Sequence, residues 1–218
     1  KGLNVDYLGH PFMDVEHLDE TTKSFYKRHS LDINSPILTL LPGSRQQEVD
    51  RHWPIYLETV KLLRKKIINL QVIIGKSSNI KLRDCPGDFR IENNAKKAMI
   101  VGKAGLVSSG TATLECAIEG LPIVVCYKLF SLSWVIAKVL VKVKHSSIIN
   151  LIMEKQVVPE LLQKNKKPKL ILNKLTELLD DKSEERKTML ADYDKLRTLL
   201  GRPGVYNRIA EKILNKTA

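Results

Sequence analysis

The chain of 218 residues has few cysteines, few aromatic residues and no long apolar run. Its three cysteines, Cys85, Cys116 and Cys126, form no CxxC pair, and none lies at metal-ligand spacing from a histidine. No run of about 18 apolar residues is present, so no membrane-spanning helix is predicted, and no signal peptide is visible. The five histidines form no HExxH set. We therefore expect no metal and no cofactor.

Acidic residues are in the minority, with 24 against 36 lysines and arginines, which gives a net charge of +12. This excess favours an anionic partner, which is a nucleic acid, a phosphate-bearing substrate or an acidic membrane surface. Aromatic residues make up 6% of the chain and form no evident stacking platform, which disfavours RNA as the partner. Hydrophobic residues make up 43%, which suits a packed globular core.

Short apolar runs alternate with helical patterns along most of the chain, which predicts an α/β fold. Strand, helix, strand repeated in this way argues for a Rossmann-like parallel sheet with helices on both faces. Such sheets bind ligands at the carboxyl ends of their strands. The predicted strands are Val5–Leu8, Ile37–Leu41, Gln71–Gly75, Gly105–Val107 and Leu121–Tyr127. The predicted helices run from about Thr21 to His29, from near Pro54 to Ile67, from Thr111 to Glu119, from Glu184 to Leu200 and from Tyr206 to Leu214.

Three regions follow from these patterns. Residues 1–35 are predicted to be an interdomain segment, residues 36–163 the Rossmann-like domain, and residues 164–218 a C-terminal helical extension. From Pro159 onward the chain is highly charged and is predicted to be helical. The first segment, Gly2 to Pro11, is typical of the middle of a protein, so we expect an N-terminal portion to be missing.

The first candidate for chemistry is the glycine turn at Pro42-Gly43 that ends an apolar strand. Ser44 with Gln47 matches a capping box. Free N–H groups and the dipole at a helix N-terminus favour an anion, to which Arg45 would add a bidentate contact. An ordinary strand-to-helix turn would explain the same residues. The loop lacks the Lys-Ser/Thr of a P-loop and the GxGxxG spacing, which disfavours an ordinary kinase or dehydrogenase.

The second candidate is the segment from Ser108 to Glu115, which also follows a strand and opens a helix. Gly110 permits close approach of the backbone, and the hydroxyl and N–H groups around it would hold a second phosphate. Glu115 lies about one turn into the helix, where its carboxylate would accept hydrogen bonds from a ribose diol. The alternative is a polar helix cap followed by a solvated glutamate.

The third candidate is the basic, apolar stretch from Lys128 to His145. Lysines alternate there with aromatic and aliphatic residues, which fits a helix lying in a membrane interface. A core helix whose lysines snorkel to solvent would give the same pattern. The residues with which this stretch would contact a membrane are Phe130, Trp134, Lys138 and Lys142.

Seven segments in their order along the chain resemble lipid-A-disaccharide synthase. Each alone is moderately specific, whereas their order and spacing are strongly specific, and the resemblance covers nearly all of the chain. The segments are Gly9-His10-Pro11, Leu41 to Arg45 with Glu48, Ser109 to Glu115, Pro122 to Tyr127, Asn150-Leu151-Ile152, Pro159 to Gln163 and Gly201-Arg202-Pro203-Gly204. Two departures are Ile148-Ile149, where the family usually has a proline, and Gly102 to Gly105, where it commonly has acidic residues.

The resemblance implies a GT-B glycosyltransferase, with two Rossmann-like halves facing a cleft. The family transfers 2,3-diacylglucosamine from UDP to the 6-hydroxyl of 2,3-diacylglucosamine 1-phosphate, with inversion and without a metal. Residues 36–163 would then be the UDP-sugar-binding domain, and the catalytic base would lie in the missing N-terminal half. The partners implied are the lipid donor and acceptor and the membrane surface, not nucleic acid. The protein would be cytoplasmic and peripheral on the inner face of the bacterial inner membrane, and its C-terminal helices would permit a homodimer.

Site residues are also carried over by position. Gly43, Ser44 and Arg45 would lie at the diphosphate with Glu48 beside them, and Arg45 would stabilise charge on the departing UDP. The remaining implied contacts are Ser109, Gly110, Thr111 and Ala112 at the second phosphate loop, Glu115 at the ribose and Asn150 at the donor. Two alternatives remain: another UDP-GlcNAc-using GT-B enzyme, including an epimerase, and a basic nucleic-acid-binding module. The Leu41 to Arg45 run disfavours the first, and two phosphate-type loops on one sheet disfavour the second.

Overall fold

The computed structural model of the chain describes residues 6–14, 20–108, 110–127, 145–162 and 167–217. Six strands form one sheet, and every pair of neighbours is parallel. The strands are β1 (Ile37–Leu41), β2 (Gln71–Gly75), β3 (Arg90–Glu92), β4 (Ala104–Val107), β5 (Ile123–Tyr127) and β6 (Glu160–Leu162). Their order across the sheet is β3-β2-β1-β4-β5-β6. The predicted parallel α/β sheet is confirmed, and β3 and β6 are additions to it.

The helices pack around this sheet. They are a short 3-10 helix (Pro11–Met13) and the α-helices α1 (Thr22–Arg28), α2 (Gln46–Arg64), α3 (Ala95–Val101), α4 (Thr111–Ile118), α5 (Ile148–Ile152), α6 (Pro168–Leu179), α7 (Glu184–Leu200) and α8 (Val205–Thr217). Pro54 was predicted near the start of a helix but lies inside α2. A proline there removes one helical hydrogen bond, and the buried side chains of Trp53 and Tyr56 on either side hold the helix against the core. Within the described residues, no helix is both long and apolar enough to cross a membrane.

The strand order creates a switch point beside β1. The chain passes from β1 outward to β2 and β3, and then returns to place β4 on the other side of β1. All five residues of β1 are buried, as expected for a parallel strand that is covered on both faces. Loops that leave neighbouring strands in opposite directions open a crevice at their carboxyl ends. That crevice is bounded by the residues that follow Leu41 and Val107. These two strand ends are opposite each other, because Leu41 is paired with Val107 in the register of β1 and β4.

The helices after residue 167 share the core of the sheet. Helix α6 packs against α2, β4 and β5, and Ile171, Leu175 and Tyr193 are fully buried with the strands. The Arg197 guanidinium donates hydrogen bonds to the carbonyls of Ala117 and Ile118 at the end of α4, at 2.8 and 3.0 Å. The domain boundary after residue 163 stays a prediction, although the described helices on its far side complete the same core.

The N-terminal segment is joined to the C-terminal helices. Residues 6–10 form no regular element, so the described part of the predicted strand Val5–Leu8 is wrong. Their polar groups bond instead to the C-terminal part, since the His10 N–H donates to the Leu200 carbonyl at 2.8 Å and Arg208 donates to the Leu8 carbonyl. The Asp14 carboxylate accepts hydrogen bonds from the N–H groups of Gly204, Val205 and Tyr206 and thereby caps α8.

Asp14→Asn is expected to lower the melting temperature at neutral pH by a few degrees. The N–H group of Tyr206, and with it those of Val205 and Gly204, hold the pKa of Asp14 below its ordinary value, against an opposing effect of burial. A lowered pKa means that the stabilisation is present above the unfolded pKa and is lost as the pH falls through the folded pKa. The melting temperatures of the unmodified chain and of Asp14→Asn should therefore differ at pH 7 and become equal as the pH is lowered to 3. Glu211→Gln on α8 is the control, and a difference independent of pH would contradict the assignment.

Candidate functional site

A cavity of about 570 Å³ opens at the carboxyl ends of β1, β2, β3 and β4. It occupies the crevice at the switch point, where open parallel sheets bind ligands. The predicted site residues that line it are Gly43, Ser44, Glu48, Gly110, Thr111, Ala112 and Glu115. Leu41 and Ser108, which belong to the predicted site segments without an assigned contact, line it too. The lining residues outside the predicted site segments are Gly75, Lys76, Ser77, Ser78, Asn93 and Ala95. Ser109 lies outside the described residues.

The turn after β1 requires a glycine. Gly43 has a φ of +116°, and a Cβ there would lie 3.1 Å from Ser108 Oγ and 3.3 Å from Glu48 Oε2. The predicted capping box of Ser44 with Gln47 is wrong, because α2 begins one residue later than such a box requires. Arg45 is its N-cap, and its side chain makes no capping bond. The first turn of α2 therefore starts at the cavity without a side-chain cap, as an anion site at a helix N-terminus does.

The turn after β4 repeats this arrangement. Gly110 has a φ of +122° and is the N-cap of α4, again without a side-chain capping bond. Apart from its chain neighbours, no atom of the described residues lies within 4 Å of the position its Cβ would take. The two turns are linked, because the Ser108 N–H donates to the Leu41 carbonyl at 2.9 Å. The N-termini of α2 and α4 thus meet at one cavity, and both helix dipoles favour negative charge in it.

Arg45 is not among the residues that line the cavity. Its side chain is 80% exposed, and Nη1 lies 3.3 Å from Oε1 of Glu48, which does line the cavity. An exposed ion pair of this kind contributes little stability. The guanidinium can therefore exchange Glu48 for another anion at small cost. The predicted roles of Arg45 in phosphate binding and leaving-group stabilisation stay predictions.

Glu115 lies where this cavity meets a second one. The second cavity, of about 480 Å³, is also bordered by Phe12, Lys96 and Tyr206. Burial raises the pKa of the Glu115 carboxyl, Lys96 opposes this effect, and the charge of Glu119 adds to it. Lys96 Nζ lies 3.4 Å from Glu119 Oε1. A carboxylate held in this way can accept two hydrogen bonds from a diol, as the predicted ribose contact requires.

Asn150 is fully buried and does not line the cavity. Its Oδ1 accepts hydrogen bonds from the N–H groups of Val157 and Val158 at 2.7 and 2.9 Å. Its Nδ2 donates to the Val158 carbonyl at 2.9 Å and to Glu160 Oε1 at 2.7 Å. These four bonds use the full capacity of an amide side chain. They give Asn150 a structural role, and its predicted contact with a donor stays a prediction.

Two further expectations concern membrane contact and metal binding. The predicted membrane-contact residues Phe130, Trp134, Lys138 and Lys142 lie outside the described residues. Among the residues that the structure does describe, no group of three or more histidine, cysteine, aspartate or glutamate side chains could hold a metal ion. A third cavity, of about 400 Å³, lies between α6 and α7, beside Val157 at the amino end of β6 and away from the glycine turns.

The parallel sheet and the crevice at its switch point give the chain the fold of one half of a GT-B protein. The spinosyn rhamnosyltransferase SpnG complexed with thymidine diphosphate superposes with a TM-score of 0.53 at 12% identity, over 81% of this chain and 45% of that one. The S. aureus MnaA–UDP co-structure superposes with a TM-score of 0.58 at 12% identity, over 92% of this chain and 49% of that one. At this level of identity the likeness concerns the fold alone.

The family follows from the sequence. A family model described as lipid-A-disaccharide synthetase matches residues 1–214, and the chain belongs to that family. The lipid-A-disaccharide synthase of Syntrophus aciditrophicus (strain SB) is 33% identical over 222 residues, which cover 96% of this chain and 57% of that protein. The predicted resemblance is thereby confirmed. The chain spans about half the length of the curated relatives it matches.

Proposed function

We propose that the chain is the donor-binding half of a lipid-A-disaccharide synthase. The enzyme would transfer 2,3-diacylglucosamine from UDP to 2,3-diacylglucosamine 1-phosphate and release lipid A disaccharide 1-phosphate and UDP. The observation that carries this proposal is the single cavity in which the Gly43 and Gly110 turns meet at the N-termini of two helices. Membership of the family supports the choice of donor and acceptor.

The cavity offers a place for each part of a nucleoside diphosphate. The glycine turns at Gly43 and Gly110 would receive the two phosphates, because backbone N–H groups and helix dipoles stabilise them. Ser44 and Thr111, which also line the cavity, carry hydroxyl groups that can donate to phosphate oxygens. Glu115 would accept hydrogen bonds from the ribose hydroxyls. The diphosphate would thus lie across the switch point with the ribose toward α4.

The proposed reaction is an inverting substitution without a metal. The 6-hydroxyl oxygen of the acceptor attacks the anomeric carbon of the donor sugar, while the bond from that carbon to the β-phosphate oxygen breaks. The electron pair leaves with UDP, and the hydroxyl proton passes to a base that we do not assign to this chain. Negative charge grows on the β-phosphate during this step. Arg45, released from Glu48, would neutralise that charge together with the two helix N-termini.

Both proposed substrates are glycolipids, so the enzyme would meet them at the inner face of the bacterial inner membrane. The stretch that contains Phe130, Trp134, Lys138 and Lys142 would supply the contact, since lysines near an acidic surface contribute about 1 kcal/mol each. Sedimentation with liposomes of acidic lipid tests this, and equal binding after Phe130→Ser with Trp134→Ser would count against it. A homodimer built through the C-terminal helices belongs to the same proposal, and sedimentation equilibrium of the chain would test it.

Arg45→Ala and Glu115→Ala are each expected to weaken UDP binding by about 1.5–3 kcal/mol, the range for hydrogen bonds to charged groups. Calorimetric titration of UDP into each folded variant measures the effect. Arg83→Ala and Glu58→Ala are the matched controls, because both side chains are exposed and neither lines the cavity. Unchanged affinity in both site variants would contradict the assignment. A folded chain that binds no UDP but retains RNA at moderate salt would favour the nucleic-acid alternative.

A further inference from the structure

The carboxylates around the cavity would repel a diphosphate unless a cation offsets their charge. Among the described residues that line it, the carboxylates are Glu48 and Glu115 and the one cation is Lys76. Arg45 does not line the cavity and is paired with Glu48. A diphosphate would bring at least two further negative charges between two carboxylates. Helix dipoles offset part of this repulsion, but each acts as only about half a charge.

Lys76 stands at the correct edge of the sheet. It directly follows β2, and its backbone N–H donates to the Glu92 carbonyl at 3.1 Å. Because β2 is paired in parallel with β1, Lys76 leaves the sheet at the same end as Gly43. The residues Lys76, Ser77 and Ser78 form one wall of the cavity, and the glycine turns form another.

The ammonium group of Lys76 has only neutral partners in the described structure. Its Nζ donates to the carbonyls of Ser77 and Ile80, at 3.3 and 3.1 Å. Arg45 and Lys96, two other cations near the cavity, differ from Lys76 because each is paired with a carboxylate. Arg45 is paired with Glu48, and Lys96 with Glu119. An ammonium group with carbonyl partners exchanges them readily for an anion, because hydrogen bonds between charged groups are stronger than those to neutral ones.

We propose that Lys76 binds the diphosphate of the nucleotide as its principal side-chain cation in the ground state. The inference rests on the proposed function and adds a residue that lies outside the segments carrying the family resemblance. On binding, Nζ would leave the Ser77 and Ile80 carbonyls for a phosphate oxygen. The ligand chemistry that this position recognises is the anionic diphosphate, not the base or the ribose.

Calorimetric titration with UDP, and uridine binding followed by ligand-observed NMR, test the proposal on the full chain. Lys76→Met is expected to weaken UDP binding by at least about tenfold and to leave uridine binding unchanged. Lys76→Arg, which keeps the charge, should retain most of the UDP affinity. Lys81→Met is the matched control, because it removes the same charge from an exposed position nearby that does not line the cavity.

Three results would overturn the proposal, and a special case of the first separates it from the proposed function. UDP affinity that is unchanged in Lys76→Met would show that the ammonium does not meet the diphosphate. An equal loss of UDP and uridine binding, with no recovery in Lys76→Arg, would show that Lys76 acts through the shape of its loop. If the unmodified, folded chain bound no UDP, both this inference and the proposed function would fail. UDP binding that responds to Arg45→Ala but not to Lys76→Met would leave the proposed function standing and refute the inference alone.

Discussion

Asn150→Ala is expected to lower the free energy of unfolding by about 3–5 kcal/mol, the largest stability effect of any single substitution considered. The substitution removes four hydrogen bonds, three of them buried and the one to Glu160 partly buried. It leaves the N–H groups of Val157 and Val158 without their acceptor, and an unpaired buried donor costs about 1–3 kcal/mol. Urea-induced unfolding followed by circular dichroism measures the change.

Two further variants separate the possible roles of this residue. Asn207→Ala, at an exposed position on α8, should change stability by less than about 0.5 kcal/mol. Asn150→Asp keeps the acceptor for Val157 and Val158 but brings a second carboxylate to Glu160, so it too should destabilise the protein. A normal unfolding free energy combined with weakened UDP binding in Asn150→Ala would instead favour the donor contact that the family resemblance implies.

The hydrogen bonds made by Asn150 and Glu160, which we call the Asn150 network, hold the last strand, β6, against helix α5. The carboxylate of Glu160, the first residue of β6, also accepts hydrogen bonds from the N–H groups of Ser146 and Ser147, both at 2.9 Å. Helix α5 is therefore fixed to β6 at its N-terminus through Glu160 and along its body through Asn150. Loss of the network would release an edge strand as well as a helix, so the expected destabilisation is large for a side chain far from the cavity.

The parts of the fold that were predictable have a strong local signal. Strand β1 is a continuous apolar run, as expected for a strand buried on both faces, and α7 was predicted with its observed ends, Glu184 and Leu200. Strand β3 has only three residues, two of them charged, and Ile91 between them is exposed. Its place in the sheet comes from pairing with β2, which no local pattern reports. Strand β6 has three residues within a stretch that was predicted to be helical.

The site was predictable to the extent that its loops follow predicted strands. The carboxyl-end rule identified the turns at Gly43 and Gly110, and the same rule applied to β2 would have identified Lys76 and its two serine neighbours. Asn93 had no such signal, because β3 itself was not predicted. The partner of the Arg45 side chain also had no signal in the sequence, because an exposed arginine can pair with several carboxylates at similar energy. In the structure Arg45 pairs with Glu48, which lies in the first turn of α2.

Gly43→Ala is expected to weaken UDP binding by about 100-fold and to lower stability by about 1–3 kcal/mol. A residue with a side chain at a φ of +116° is strained, and the added methyl group would lie 3.1 Å from Ser108 Oγ and 3.3 Å from Glu48 Oε2. Relief of either contact turns the peptide group of Gly43 away from the cavity. The strain then adds to the loss of an N–H donor to a charged phosphate, which is itself about 1.5–3 kcal/mol.

Two other glycines make this expectation specific. Gly110→Ala imposes a similar backbone strain at φ +122° but brings its methyl group within 4 Å of no non-adjacent residue in the described ranges, so its loss of UDP affinity should be smaller. Gly87→Ala likewise meets no described residue beyond its chain neighbours and has no left-handed φ, so it should leave UDP affinity and stability nearly unchanged. Calorimetric titration with UDP and urea-induced unfolding of the three variants measure the order of their losses in UDP affinity and in stability. Equal losses for Gly43 and Gly110 would mean that the close contacts of the new methyl group at Gly43 add nothing to the backbone strain and the phosphate contact that both turns share. Retained binding in Gly43→Ala would mean that the diphosphate does not lie against this turn, and the donor site would have to be placed elsewhere in the crevice.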